Sequence, residues 1–472
     1  MTQPIATLEK PPSPGAPHRA ELPSPVERTL ANGMRVIAFP QRSAPKAYAV
    51  PLIAAQLIVR GGASAESESE AGLATLTTAL LTQGTTSKSA VEIAQAVDGL
   101  GARLDAASGY DAAVVSLTAL THVFANAFAL FDEIIRQPSF PQAEVERVRA
   151  KAIGDLALSY SSPSALARYV AQRVAFGAAP YGHPVAGTAE TLASLDRDRI
   201  VAFHARYFRP DNATLIVGGD CAPEDAFALA ERQFGNWRAP ETPLPVAADV
   251  GAPAPQARVV IVDKPDAGRT AVVVGRVAIA RRAPSYAAGI VATAVLSGYS
   301  GRLNQEVRVK RGLSYGAGAQ LIARREPGMF LSSTLVDHTK VEEALKVILD
   351  TLAGLAAAPP EAAELVTRKA TISGGFSRSI ETIDGITGVL GELALYDVPL
   401  TELGNYLPEI EAVDPGMVQR FAADTFADQF VVLVGDARAF GAAIEAAYSN
   451  VTTIPFAQLD LGQPNATAPP GA

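Results

Sequence analysis

Hydrophobic positions along the chain repeat with two periods, and their alternation sorts it into elements. In GLATLTTALLTQGT, residues 72–85, Leu73, Leu76, Leu80 and Leu81 fall at helical spacing and give one apolar stripe. A second helix is expected from Ser89, where Ser89 and Glu92 stand at capping-box spacing and Val91, Ile93 and Val97 supply the buried side. RTLANGMRVIAF (28–39) places Asn-Gly between two β-prone runs, the signature of a tight hairpin. AAQLIVRGGA (54–63) and DAAVVSLTAL (111–120) read as further strands.

The same plan returns in the second half of the chain. FALFDEIIRQPSFPQAEVERVRAKAIGDL (128–156) reads as helix, proline break, helix, and ALKVILDTLAGLAAAPPEAAELVTRKATISGGF (344–376) repeats it. RIVAFHARYFRPDNATLIVGGD (199–220) is echoed by GMVQRFAADTFADQFVVLVGDA (416–437), each a helix, a short turn and an apolar strand closed by Gly-Asp. Self-similarity of this kind predicts a duplicated α+β unit, with helices covering one face of a sheet in each half. Between the halves lies APETPLPVAADVGAPAPQ, proline-rich and without apolar period, which reads as a semi-rigid linker. The expected division is a disordered tail over 1–26, an N-terminal half over 27–238, the linker over 239–256, a C-terminal half over 257–457 and a second tail over 458–472.

Composition narrows the class. With 472 residues, 48% of them hydrophobic and 19% charged, the chain can bury more than one core. Its 40 basic and 48 acidic residues leave a net charge of -8, with no basic excess for nucleic acid. The pairs Arg281-Arg282 and Arg324-Arg325 therefore read as solvated surface. No run reaches the length of a membrane span, and no signal peptide is visible, so the expected location is cytoplasmic, or periplasmic if the start is misassigned.

Candidate chemistry is sparse. The single cysteine, Cys221, excludes an internal disulfide and a cysteine-based zinc site, and it reads as an inert thiol. Catalytic zinc needs at least three converging His, Asp or Glu side chains, and the common helical solution sets two histidines one turn apart. The five histidines, His18, His122, His183, His204 and His338, contain no such pair. There is no GxSxG elbow and no phosphate-binding loop. The strongest motif is SGRLNQEVRVKRGLSYGAGAQL (300–321), a helix ended by Gly312 and followed by a strand opening at Tyr315. That turn can bring Arg308 beside Tyr315, where guanidinium and phenol could hold a carbonyl or an oxyanion. On the residues alone, solvated helix surface for Arg308 and half-buried sheet for Tyr315 remain the competing reading.

Together these features resemble the pitrilysin/insulinase family of inverted zincins, which includes the mitochondrial processing peptidase, over roughly residues 27–450. The resemblance implies two homologous halves, each a pair of related α/β sandwich domains, joined into a clamshell. RLNQEVRVKRGLSYG matches the family's C-terminal motif, which implies substrate contacts for Arg308 and Tyr315. Active members carry HxxEH on the helix that begins here at GLATLTT, with two histidines on zinc and the glutamate as general base. The corresponding positions are Thr75, Thr78 and Ala79, and the third ligand position falls on Asp155 rather than glutamate. The strand near Ala102 to Ser108 matches the one that pairs with extended substrate, with Asp105 in place of the usual asparagine.

The resemblance therefore implies no zinc and no hydrolysis by this chain alone. In heterodimeric members one subunit brings HxxEH and the other the Arg/Tyr motif, and this chain is similar to the second kind. Its implied partner is a homologous HxxEH-bearing subunit that holds the zinc and cleaves peptide substrates. The alternative is a non-proteolytic structural or peptide-binding core subunit of a larger complex.

Overall fold

The computed structural model describes residues 22–40, 50–245 and 258–467. Most of the tail expected over 1–26, the greater part of the linker and residues 468–472 lie outside them.

The first half opens with the hairpin that the Asn-Gly turn predicts. Strand β1 (Val26–Thr29) pairs antiparallel with β2 (Arg35–Pro40), and Gly33 takes the left-handed turn position at φ 91°. Then come β3 (Leu52–Arg60), helices α1 (Leu73–Leu80) and α2 (Ala90–Gly99), and strands β4 (Arg103–Ser108) and β5 (Ala112–Leu120). Helices α3 (Phe124–Arg136), α4 (Gln142–Ser161), α5 (Pro163–Phe176), α6 (Ala189–Ser194) and α7 (Arg197–Tyr207) follow, and β6 (Ala213–Gly219) and α8 (Pro223–Phe234) close the half. The sheet runs β1-β2-β6-β3-β5-β4, with β2 and β6 parallel and the other pairs antiparallel.

The second half repeats this order. It contains β7 (Val259–Asp263), β8 (Thr270–Val277), α9 (Tyr286–Leu296), α10 (Arg302–Asn304), β9 (Ser314–Ile322) and β10 (Met329–Val336). Helices α11 (Val341–Ala357), α12 (Ala362–Ser379), α13 (Ile383–Leu395), α14 (Glu402–Ala412) and α15 (Pro415–Thr425) precede β11 (Phe430–Gly435), α16 (Gly441–Ala447) and β12 (Val451–Pro455). Its sheet runs β12-β7-β11-β8-β10-β9, so β7, β11, β8, β10 and β9 stand where β2, β6, β3, β5 and β4 stand in the first.

Two expectations change here. Each half holds one six-stranded sheet, so the pair of domains expected within each half is a single layered unit. Helices also cover both faces of each sheet, and the second face is covered by a helix from the other half. Helix α5 lays Leu166, Ala167 and Val170 on Val260, Val262, Val273 and Val432 of the second sheet. In return α13 lays Ile386, Leu390 and Leu393 on Ile37, Ile58 and Ile216 of the first. Gly391 permits this close approach, because a Cβ there would lie 2.1 Å from Oε1 of Gln56 on β3. Burial on both faces explains why β3, β8 and β11 read as near-continuous apolar runs rather than alternating ones.

Helices α1 and α2 form where expected, with the Ser89–Glu92 capping box in place. On α2, Ile93 is buried but Val91 is 64% exposed, which corrects its assignment to the core. The second tail is also corrected as far as residue 467. Leu461 and Ala466 are buried, and the carbonyl of Leu461 accepts a 2.9 Å hydrogen bond from Nε of the buried Arg173. The start of the linker is fixed as well, since Arg209 donates to the carbonyls of Pro240 and Thr242.

Candidate functional site

The positions expected for a metal site border a cavity. Helix α1 begins at Gly72, held at φ 97°, and packs beside α4 and α7. Thr75 and Ala79 share one face of α1 and line a cavity of about 230 Å³ with Asp155 and Ser159 of α4, Tyr169 of α5 and Leu192 of α6. Three of the four positions singled out from the sequence thus converge. Thr78 does not, being fully buried with its hydroxyl donating to the carbonyl of Ala74 at 2.7 Å.

The residues present do not fit zinc. The Thr75 hydroxyl donates to the carbonyl of Val185 at 2.8 Å, Ala79 offers a methyl group, and Asp155 is exposed and paired with Lys151 at 2.6 Å. Among the described residues no three His, Cys, Asp or Glu side chains come together in a group that could hold a metal ion. Leu73, Leu76 and Leu80 keep the helix packed in the core of the first half.

One buried carboxylate beside this helix escaped the sequence reading. Glu66 accepts backbone N–H bonds from Gly72, at 3.0 Å, and from Ala74, and it meets His183 Nε2 at 3.3 Å. It satisfies the orphan donors that begin α1. Burial pushes its carboxyl above the ordinary value of 4.5 although His183 and both amides pull it down. It stands too far ahead of the helix for the capping-box spacing to reveal it. His183 and His204 are both structural: His183 is buried on Glu66, and Nε2 of His204 donates to the carbonyl of Ile135 at 2.8 Å.

Arg308 and Tyr315 do come together. Helix α10 runs on into a π-helical turn over Gln305–Val309, where the N–H of Lys310 reaches back five residues to Gln305. Gly312, at φ 64°, ends it, with its N–H on the carbonyl of Arg308 and that of Leu313 on Val307. The reversal sets the Arg308 guanidinium 4.7 Å from the ring centroid of Tyr315, and 5.5 Å from that of Tyr299 on the turn before α10. Tyr299 was missed, although an aromatic residue within the turn SGYSG is a visible anomaly.

Charge is arranged so that Arg308 stays unpaired. Glu306 takes both neighbouring cations, Lys310 and Arg311, which hold its carboxyl below the ordinary value. Among the described residues no carboxylate pairs with Arg308, and its guanidinium meets only the two aromatic faces. Tyr299 and Tyr315 are 75% and 83% exposed. The result is a cationic group flanked by two exposed phenols at the start of β9, whose outer edge carries no neighbouring strand among the described residues. Strand β4 is the edge of the first sheet in the same way, with Asp105 paired to Arg103 at 2.7 Å. Neither Arg308 nor Tyr315 lines the cavity shared by Thr75, Ala79 and Asp155.

Two arginines expected as solvated surface are drawn inward, Arg281 fully and Arg324 in part. Arg281 is buried, with its Nε on Glu392 at 2.6 Å and its guanidinium 3.8 Å from the Tyr286 ring. Arg324 lies 4.0 Å over Tyr110 and 4.8 Å over Tyr181 of the first half. Both find carboxylate or aromatic partners that only the folded chain assembles. No helix among the described residues is long and apolar enough to cross a membrane.

Comparison with known proteins agrees with this architecture. Residues 47–189 match the model of the insulinase family, peptidase family M16, and residues 194–372 match that of the peptidase M16 inactive domain. An uncharacterized zinc protease of Mycobacterium leprae (strain TN) is 25% identical over 438 residues, covering 90% of this chain and 93% of that protein. One from Bacillus subtilis (strain 168) is 22% identical, covering 74% and 84%. Among solved structures, a peptidase M16 inactive domain from Pseudomonas fluorescens superposes with a TM-score of 0.80 at 26% identity, covering 87% of this chain and 98% of that one. A protease from Helicobacter pylori gives a TM-score of 0.82 at 20% identity, over 88% and 100%, and shares the fold. With both family models matched in order and the two related halves in place, the chain belongs to the M16, or insulinase, family of peptidases.

Proposed function

We propose that the chain is the non-catalytic subunit of a heterodimeric M16 peptidase and supplies Arg308 and Tyr315 to the active site of an HxxEH-bearing partner. The observation that carries this reading is an asymmetry between two sites. The position expected for the metal carries Thr75, Ala79 and Asp155, which do not fit zinc, whereas Arg308 is free of ion pairs beside two exposed tyrosines.

Within such a complex the partner's zinc and general base supply the hydrolytic chemistry. Arg308 and Tyr315 bind the peptide. Guanidinium and phenol donate to backbone carbonyls near the scissile bond, where donors aimed at developing negative charge accelerate acyl transfer. An open edge at β9 lets an extended peptide continue alongside by strand addition.

The test is co-purification with a homologous HxxEH chain, followed by a peptidase assay. Cleavage that needs both chains supports the reading. A stable complex without cleavage favours the structural-subunit alternative.

A further inference from the structure

The second half has its own cavity at the place equivalent to the one that Thr75, Ala79 and Asp155 line in the first. Where α1, α4, α5 and α6 surround the first, α9, α12, α13 and α14 surround the second, which has a volume of about 130 Å³. The chemistry of the two differs. The first is lined mainly by apolar groups, while the second gathers Arg281, Glu392, Glu402, Tyr286 and Tyr406 against a wall of Phe376, Leu393 and Leu403.

Arg281 is the key group. Its side chain is 7% exposed, and only Nε is engaged, on Glu392 at 2.6 Å. A guanidinium carries five N–H donors, and its two Nη groups make no hydrogen bond to any described residue. Neither Nη is sealed from solvent, so both face the cavity where an acceptor can reach them. Glu402 lies on the same cavity, its carboxyl raised by desolvation and by the neighbouring Glu409 although Arg281 pulls it down.

We propose that this cavity binds a free small α-amino acid, its carboxylate on the Nη groups of Arg281 and its ammonium between Glu392 and Glu402. Opposite charges side by side select against other ligands. Two carboxylates repel a phosphate-like dianion, and the guanidinium repels a bare metal cation. Size agrees, because a cavity of roughly 150 Å³ holds the six carbons of benzene. The apolar wall accommodates a short aliphatic side chain. The cavity shares no residue with the Arg308–Tyr315 pair, so the proposal does not depend on the function proposed above.

Isothermal titration calorimetry of the intact chain alone, with L-alanine and L-valine as probes and acetate and methylamine as half-ligands, tests it. Saturable binding at millimolar concentration is expected for the amino acids, and binding weaker by about tenfold or more for either half-ligand, as loss of one charged contact implies. Arg281→Lys and Glu402→Gln should each weaken amino-acid binding by a similar factor. If Arg281→Lys does not fold, Glu402→Gln decides, since Glu402 makes none of the contacts that fix Arg281. Absence of saturable heat in the folded wild-type chain overturns the proposal, and so does binding unchanged in Glu402→Gln.

Discussion

The guanidinium of Arg308 lies 4.7 Å from the ring centroid of Tyr315 across a turn closed by Gly312. The arrangement contributes little to the fold. Tyr315 is 83% exposed, and the core beneath is made by Leu303, Val307 and Leu313. Tyr315→Phe should therefore shift the unfolding free energy by no more than about 0.5 kcal/mol, as exposed substitutions do. Denaturant titration of wild type and variant checks this. A larger loss would make the tyrosine a structural element.

The chain purified alone should contain no stoichiometric zinc. Elemental analysis decides, and about one zinc per chain would contradict the account of the metal position. Thr75→His, Ala79→His and Asp155→Glu combined should create zinc binding, because all three positions line one cavity. Failure of that folded variant to take up zinc would mean that the cavity geometry, and not only its side chains, has diverged.

The two halves should unfold together. Helix α5 covers the second sheet and α13 the first, and Arg60 and Asp397 pair between the halves, so neither half keeps its buried surface alone. The single tryptophan, Trp237, packs against the core of the first half and reports on it by fluorescence, while far-UV circular dichroism reports on both. The two transitions should coincide. Separate midpoints would show that the exchanged helices do not couple the halves.

Acid should weaken the first half through His204. Its ring stacks on Phe208 at 4.7 Å and meets the edge of Phe140 at 5.5 Å, and burial lowers its pKa from 6.5 to about 4. The folded state therefore prefers the neutral ring. This contribution is complete above pH 6.5 and is lost as pH falls through 4, at a cost on the order of 1–3 kcal/mol. Stability of wild type and His204→Gln measured between pH 7 and 4 tests this. The difference between the two should narrow as pH falls, and a constant difference would contradict it.

Much of this was legible in the chain. The echo of residues 199–220 in 416–437 announced two halves, and the Asn-Gly hairpin, the Ser89 cap and the Gly312 stop announced their elements. The exchange of α5 and α13 was not legible. An apolar stripe such as Leu166, Ala167 and Val170 says that a helix buries a face, but not against which sheet. Arg281 and Glu66 were hidden for a related reason. Their partners, Glu392 and His183, are distant in sequence, and a charged residue reads as surface until its partner is known. The Arg308–Tyr315 pair was foreseeable because a local turn makes it. Tyr299 was not foreseen because it joins from the preceding turn.

The central claim is that this chain completes a partner's active site with Arg308 and Tyr315. The most direct measurement is peptide cleavage by an HxxEH homologue alone, with this chain, and with its Arg308→Ala and Tyr315→Phe variants, complex formation being followed by gel filtration. The account predicts cleavage only when both chains are present, and a fall in turnover on the order of 10²-fold for each variant with the complex intact. Cleavage by the partner alone at the same rate, or full turnover with both variants, would contradict it.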